Sequence, residues 1–373
     1  MKHLYVHVPF CSRRCSYCDF SIAVRREVPA LEFVDAIKAE LVTRQSNGPI
    51  GTIGPLDTIY LGGGTPSKLG SDGLAALAAL LRPFAPDMSD DQFTIETNPE
   101  DLTDGTLAAQ LPALGMRRVS IGVQSFDPGV LAWMHRGHTA LDVTRSFAAL
   151  TSAGISDISL DLIFALPSHL ARDWSRDLRN ALELRPAHIS LYGLTIEPRT
   201  PLGRWQARGA VESAPEDRYA EEYLEAVETL VAAGYEHYEV SNFALPGFRS
   251  AHNSAYWRRV PYLGLGPSAH SFDGANRRWN ERAYAAWRDR AMAGEDPMEG
   301  TESLNGHEVA AEDVYLGLRT SDGLAMAASD VDTVAQWQRA GWAVADGGRI
   351  RMTTEGWLRL DALAAALTAS RSR

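Results

Sequence analysis

All three cysteines of this 373-residue chain, Cys11, Cys15 and Cys18, fall within eight positions, in the stretch LYVHVPFCSRRCSYCDF. Thiols gathered on one short loop point to a metal site, because cysteines that merely fill a core have no reason to share a loop. A structural zinc site closes its shell with four ligands, often as two separated pairs, and this chain has no second cysteine pair. Three thiolates suit a 4Fe-4S cluster that leaves one iron without a protein ligand and so open to a bound molecule. A zinc or 2Fe-2S site completed by His7 or Asp19 is the rival reading, and three unliganded buried thiols the plain one.

The surroundings of that loop set the fold class. Short apolar runs at Leu4 to Val8, Thr58 to Leu61, Phe93 to Thr97, Val119 to Val123, Ile158 to Phe164 and Ile189 to Leu191 alternate with helix-patterned segments. Such alternation predicts βα units around a parallel sheet. Val34, Ile37 and Leu41 share one helical face, as do Trp174, Leu178 and Ala181 before Pro186. Six units are too few for a closed eight-unit barrel, so the expectation is an α/β fold built as a partial (β/α)6 barrel over residues 1–200. Loops at the C-terminal strand ends then carry the chemistry, and the cysteine loop follows the first strand.

Residues 201–300 are less regular and rich in Trp, Tyr, Pro and Gly. In residues 301–373, helical runs at Gly306 to Arg319 and Val331 to Ala340 precede a hairpin pattern turning at Asp346-Gly347-Gly348. That order predicts a small winged-helix-like α+β module. Its seven arginines, absent lysines and ten acidic residues, in a chain of net charge −11, argue against a grip on nucleic acid, which requires neutralised phosphates. The N-terminal MKHLYVHV shows no cleavage signature and no stretch is apolar enough to span a bilayer, so a cytoplasmic location is expected. Closely spaced thiols without a disulfide framework fit a reducing compartment.

Polar residues recur at the strand ends. Gly62-Gly63-Gly64-Thr65-Pro66 follows the second strand and lets backbone approach a ligand closely. Glu96 ends the third strand, Gln124 the fourth, Arg136 follows in MHRGH, and Asp161 interrupts the apolar fifth. A lone carboxylate in a core strand is costly unless it is paired or bound. Together these residues read as a ligand-binding rim, the carboxylates suited to ammonium or hydroxyl groups and Arg136 to a carboxylate.

The C-x3-C-x2-C loop after a strand resembles the radical S-adenosylmethionine (SAM) superfamily, whose cysteines hold a 4Fe-4S cluster that SAM chelates at the open iron. Tyr5, the GGGTP loop, Glu96, GVQS, Arg136 and DLIFALP extend the resemblance to the family of oxygen-independent coproporphyrinogen III oxidases (HemN) and their HemW relatives, over nearly the whole chain. The resemblance implies that Tyr5, Gly63 and Glu96 contact the cluster-bound SAM. It also implies that Tyr17, Gly64, Thr65, Gln124, Arg136 and Asp161 match the positions that hold a second SAM in the oxidase. Two departures separate the branches: the oxidase carries a fourth cysteine where this chain has Phe20, and a longer arm before the first strand. Conversely, His252-Asn253-Ser254-Ala255-Tyr256-Trp257 matches H-N-x-x-Y-W, which marks the HemW branch and is associated there with heme. His252 is thus the heme-ligand candidate, with Tyr256 and Trp257 packing on the porphyrin, and with His270 and His7 as rivals. What the resemblance implies is a heme chaperone that takes heme to an acceptor protein and draws electrons from a donor. The alternative is radical oxidative decarboxylation of coproporphyrinogen III; no catalytic residue is assigned, and whether the chain is an enzyme stays open.

Overall fold

The computed structural model describes residues 1–47, 53–85 and 93–372. Six strands, β1 (His3–Val8), β2 (Thr58–Gly63), β3 (Phe93–Thr97), β4 (Arg118–Gln124), β5 (Asp157–Phe164) and β6 (His188–Gly193), lie parallel and side by side in chain order. This is the expected α/β half-barrel, and the helices between the strands are amphipathic as their spacing predicts. Phe33, Ile37 and Leu41 of the Ala30–Asn47 helix are buried, as are Leu74, Leu77 and Leu81 of the next. The Thr106–Gln110 helix is short and tightens into a 3-10 turn where Pro112 cannot donate to the ladder.

The strands are not uniformly apolar. Leu4, Val6, Val8, Ile59, Leu61, Ile95, Val119, Ile121, Ile158, Leu160 and Ile189 belong to the core beneath the helices. The alternate positions are polar, and they face one another across the concave side of the sheet. Arg118 makes a bidentate contact with Asp157 through Nη1 at 2.6 and 2.8 Å, Ser120 donates to Asp161 at 3.0 Å, and Ser159 meets His188 at 2.8 Å. Side-chain period two thus divides the sheet into a dry face and a wet one.

Residues 201–300, irregular by pattern, carry six more strands of the same sheet. β7 (Glu236–Glu239) and β8 (Asn242–Ala244) close the edge beside β6, with β8 antiparallel to it. At the other edge β9 (Tyr262–Leu265) lies parallel to β1, and β10 (His270–Phe272), β11 (Asn276–Asn280) and β12 (Met298–Ser303) continue antiparallel. One buried carboxylate ties this second extension to the barrel. Glu40 accepts from Gly266 N and Trp287 Nε1 at 2.9 Å each and from Asn280 Nδ2 at 2.6 Å, and it pairs with Arg44 at 3.4 Å. Burial pushes its carboxyl pKa up, against the pull of Arg44 and these donors.

The C-terminal region has its own cluster, including Val314, Leu318, Trp337, Ile350 and Leu367. β13 (Leu324–Ala325) pairs with β15 (Arg349–Met352), which forms the expected hairpin with β14 (Ala343–Asp346). It is fastened to the sheet by Arg319, whose Nε lies 2.9 Å from buried Glu239 and whose carbonyl accepts from Val240 N. Because Glu40 serves four partners, Glu40→Ala strands several buried donors and a buried guanidinium; a loss of about 3–5 kcal/mol is expected, measured by urea unfolding against wild type.

Candidate functional site

The cysteine loop is built by short-range backbone ties. Beyond β1 the chain pairs Phe10–Cys11 with Ala23–Val24, and Ala23 N donates to Pro9 O at 2.7 Å while Arg25 N donates to Cys11 O at 3.1 Å. Between them Cys18 N reaches Cys15 O at 3.4 Å, and Ser16 is held from both sides by Met134 O and Leu202 N. The loop is a fixed arch over the C-terminal end of the sheet. Its three thiols are free, half-buried, and face one cavity of about 330 Å³.

The same cavity gathers most of the residues singled out in the sequence. Tyr17, Gly63, Gly64, Thr65, Glu96, Gln124, Arg136 and Asp161 all line it. Glu96 is fixed by Tyr60 OH at 2.8 Å and by Gly63 N at 3.0 Å. Gly63 sits at φ +109, and a Cβ there would come within 2.5 Å of the His7 ring; one on Gly64 would meet the Pro9 carbonyl at 2.7 Å. These two glycines are required by packing as well as by any ligand. Gln124 holds a left-handed φ of 68 at the register shift between β4 and β5, local strain that turns its amide into the cavity.

Arg136 spans the floor of the arch. Its Nη2 donates to Asn98 Oδ1 at 2.7 Å and to Gly122 O at 2.5 Å, and Nη1 lies 3.6 Å from Cys15 Sγ. Its Nε is buried with no partner among the described residues. Asn98 also donates to Thr65 Oγ1 at 3.1 Å, and Thr65 lies 3.5 Å from Cys11 Sγ. Asn98, Glu100, Tyr192 and Thr195 line the cavity without having been singled out, although Asn98 and Tyr192 each sit at a strand end, the signal that flagged Glu96 and Gln124.

Five candidates lie elsewhere. Tyr5 is beneath the cavity, its OH 3.0 Å from His7 Nδ1 and its ring 6.1 Å from that of Tyr60. His7 uses its other nitrogen on Ser21 O at 2.8 Å and does not line the cavity, while Asp19 opens onto a neighbouring one. Neither supplies a fourth ligand in this arrangement. His252 is deeply buried: Nδ1 meets Thr58 Oγ1 at 2.7 Å, Nε2 meets Tyr256 OH at 2.8 Å, and the ring stacks on Tyr60 at 5.1 Å. Tyr60 therefore touches both the HNSAYW helix, Ala251–Trp257, and Glu96 in the cavity. His270 is exposed against Trp279.

Burial raises the thiol pKa of Cys11, and that of Cys18 to about 11. Among the described residues no three His, Cys, Asp or Glu side chains converge on a single-ion point. Three cysteine thiols on one arch, facing one cavity, suit the separate corners of a cubane. Burial also dominates the carboxyls: Glu96 is raised to about 7, with Tyr60 and Gly63 opposing, and Asp161 to about 6, with the hydroxyls of Ser190 and Ser120 opposing. Each holds in the folded chain a proton that the unfolded chain has released, so the stability each contributes is full below its unfolded value and is lost as pH rises through the raised one. Glu96→Gln should flatten the fall in melting temperature of the metal-free chain between about pH 5 and 8; scanning calorimetry of both proteins across that range measures it, and an unchanged slope would exclude Glu96 as its source.

Residues 5–181 match the model of the radical SAM superfamily. The heme chaperone HemW of Synechocystis sp. is 35% identical over 345 residues, which cover 90% of this chain and 82% of that protein. HemW of Mycobacterium tuberculosis is 34% identical over 376 residues, 98% of this chain and 94% of that one. Among solved structures, coproporphyrinogen III oxidase (HemN) from Escherichia coli superposes with a TM-score of 0.79 at 22% identity, covering 98% of this chain and 90% of that chain, and so shares the fold. With this arch, this cavity and these relatives, the chain belongs to the HemW family of radical SAM proteins.

Proposed function

We propose that this protein is a heme chaperone of the HemW type, which binds heme and passes it to an acceptor protein, and which holds a SAM-ligated 4Fe-4S cluster on Cys11, Cys15 and Cys18. The observation that carries the reading is the single cavity shared by the three thiols and the strand-end polar groups, in a chain similar to HemW proteins over most of its length. A bound cluster with SAM would supply one-electron reductive chemistry there. The protein's part is positioning. Glu96, pinned by Tyr60 and Gly63, presents a carboxylate to an ammonium group; Gly63 and Gly64 admit ligand close to the backbone; Arg136 and Gln124 suit a carboxylate, and Asp161 suits hydroxyls. Tyr5 acts from beneath, through Tyr60, rather than by contact.

For heme, the HNSAYW helix offers two faces. The inner one, His252 and Tyr256, is spent on Thr58, on Tyr60 and on the bond between the two residues themselves. The outer one, Ser254 and Trp257, lines a second cavity of about 420 Å³ together with Arg249, Arg258, Arg259 and Arg349. An aromatic ring beside several guanidiniums suits a flat ligand bearing carboxylates. We infer that heme meets Trp257 from outside, and that His252 ligates iron only if its Nε2 leaves Tyr256. The oxidase reading is disfavoured by Phe20, which stands exposed where the oxidase has its fourth cysteine.

Titration of the purified protein with heme should give a Soret band saturating at about one heme per chain, weakened roughly tenfold in affinity by Trp257→Ala. His252→Ala should weaken it as well. Cys11→Ala should abolish the reduced cluster's EPR signal and leave heme uptake in place. Protoporphyrinogen formation from coproporphyrinogen III, after anaerobic reconstitution with SAM and reductant, would overturn the chaperone reading.

A further inference from the structure

The mouth of the cysteine arch opposes the rest of the molecule in charge. The chain carries a net −11, and many of its surface arginines sit in ion pairs, as Arg249 with Glu236, Arg278 with Asp296, Arg290 with Glu281 and Arg359 with Glu355. Around the arch they do not. Arg14, Arg25, Arg199 and Arg282 are all exposed. Arg14 reaches only the Cys18 carbonyl, at 3.5 Å, and Arg282 the Asp19 carbonyl, at 2.9 Å. Backbone oxygens leave the guanidinium charge uncancelled.

An apolar side chain stands among them. Phe20, two residues beyond Cys18, is 60% exposed, the highest exposure among the large apolar side chains described. It lines both the cysteine cavity and an adjoining hollow of about 320 Å³ whose walls include Arg14, Arg199, Arg282 and Tyr284, with Asp19 as the carboxylate among them. Arg25 joins the same face, because its backbone is bonded to Cys11 and its charge is felt at Tyr284. An aromatic centre within a charged rim is the anatomy of a protein interface. A cluster on these cysteines must also receive electrons, and tunnelling falls steeply with distance, so the donor has to approach this face.

We propose that Phe20 and the ring of Arg14, Arg25, Arg199 and Arg282 form the docking surface for an acidic one-electron carrier protein that reduces the cluster. The inference rests on the reading that the three cysteines hold a cluster. One electron leaves the carrier, which is oxidised by one, and enters the cluster, which is reduced by one; no atom is transferred. The uncancelled positive charge steers the encounter, and Phe20 supplies the apolar contact next to Cys18.

The test uses the full chain with its cluster reconstituted, a purified flavodoxin in its hydroquinone form as the probe, and the double variant Arg25→Glu/Arg199→Glu. Neither side chain donates a hydrogen bond to the loop in this structure, and Arg339→Glu, at the end of the Val331–Arg339 helix of the C-terminal region, is the control. Stopped-flow absorbance should show wild-type reduction slowing steeply as salt is raised. The double variant should be at least roughly tenfold slower at low ionic strength and nearly insensitive to salt, and its affinity for oxidised flavodoxin by surface plasmon resonance should fall in step. Iron content and the EPR signal after deazaflavin photoreduction should match wild type. If the cluster photoreduces normally and flavodoxin reacts as fast with the double variant as with the control, the docking surface is overturned while the cluster reading stands. A chain that takes up no iron overturns both. If the double variant instead loses co-sedimentation with phosphatidylglycerol vesicles while its reaction with flavodoxin is unchanged, the patch is a lipid-facing surface and the proposal fails.

Discussion

A buried polar group must find a partner, and the concave face of this sheet consists largely of buried polar groups. Arg118 with Asp157, Ser120 with Asp161, Ser159 with His188, and His188 with Tyr238 satisfy one another in a chain that runs from β4 across β5 and β6 to β7. Parallel sheets are usually buried on both faces and apolar on both. Here one face is kept polar, and the cost is met by pairing neighbouring strands side chain to side chain. The strand order is thereby specified twice, once by the backbone ladder and once by these contacts.

The cavity is the open end of that network. Towards the N-terminal strand ends the polar groups of the network pair with one another; His252, for example, is held neutral, its pKa lowered to about 3 by burial, between Thr58 and Tyr256. Towards the C-terminal ends the matching stops. Arg136 Nε has no partner among the described residues, and burial raises the pKa values of Glu96 and Asp161. Groups whose burial is uncompensated at one end of an otherwise satisfied network mark where a ligand belongs. Tyr60 joins the two regimes, hydrogen-bonded to Glu96 above and stacked on His252 below.

Much of this was legible along the chain because it depends on local order. The cysteine spacing, the glycines after β2 and the polar residues at strand ends are short-range patterns, and a parallel βα fold carries strand ends to one side whatever else it does. What lay beyond local pattern was the fate of residues 201–300. β9 and β10 are short, separated by turns and rich in glycine and aromatics, so no periodicity announces them as strands. Their place beside β1 is decided by Glu40, whose partners Gly266, Asn280 and Trp287 lie more than two hundred positions away. Such pairings are set by burial of a charge, which no sequence window contains.

The HNSAYW segment draws the line between the two kinds of information. Its residue types were enough to single it out, and helical spacing alone puts His252 and Tyr256 on one face and Trp257 on another. Which face meets the core could not be read from spacing. The tertiary structure turns His252 inward onto Tyr60 and Thr58, where a neutral imidazole finds both a donor and an acceptor, and leaves Trp257 to a cavity where its neighbours Arg249, Arg258 and Arg259 meet Arg349 of the C-terminal region. Sequence alone gathered the three thiols, because residues on one short loop stay together in any compact fold. Only the folded chain decided which of the other polar residues join them, because that depends on which strands lie side by side.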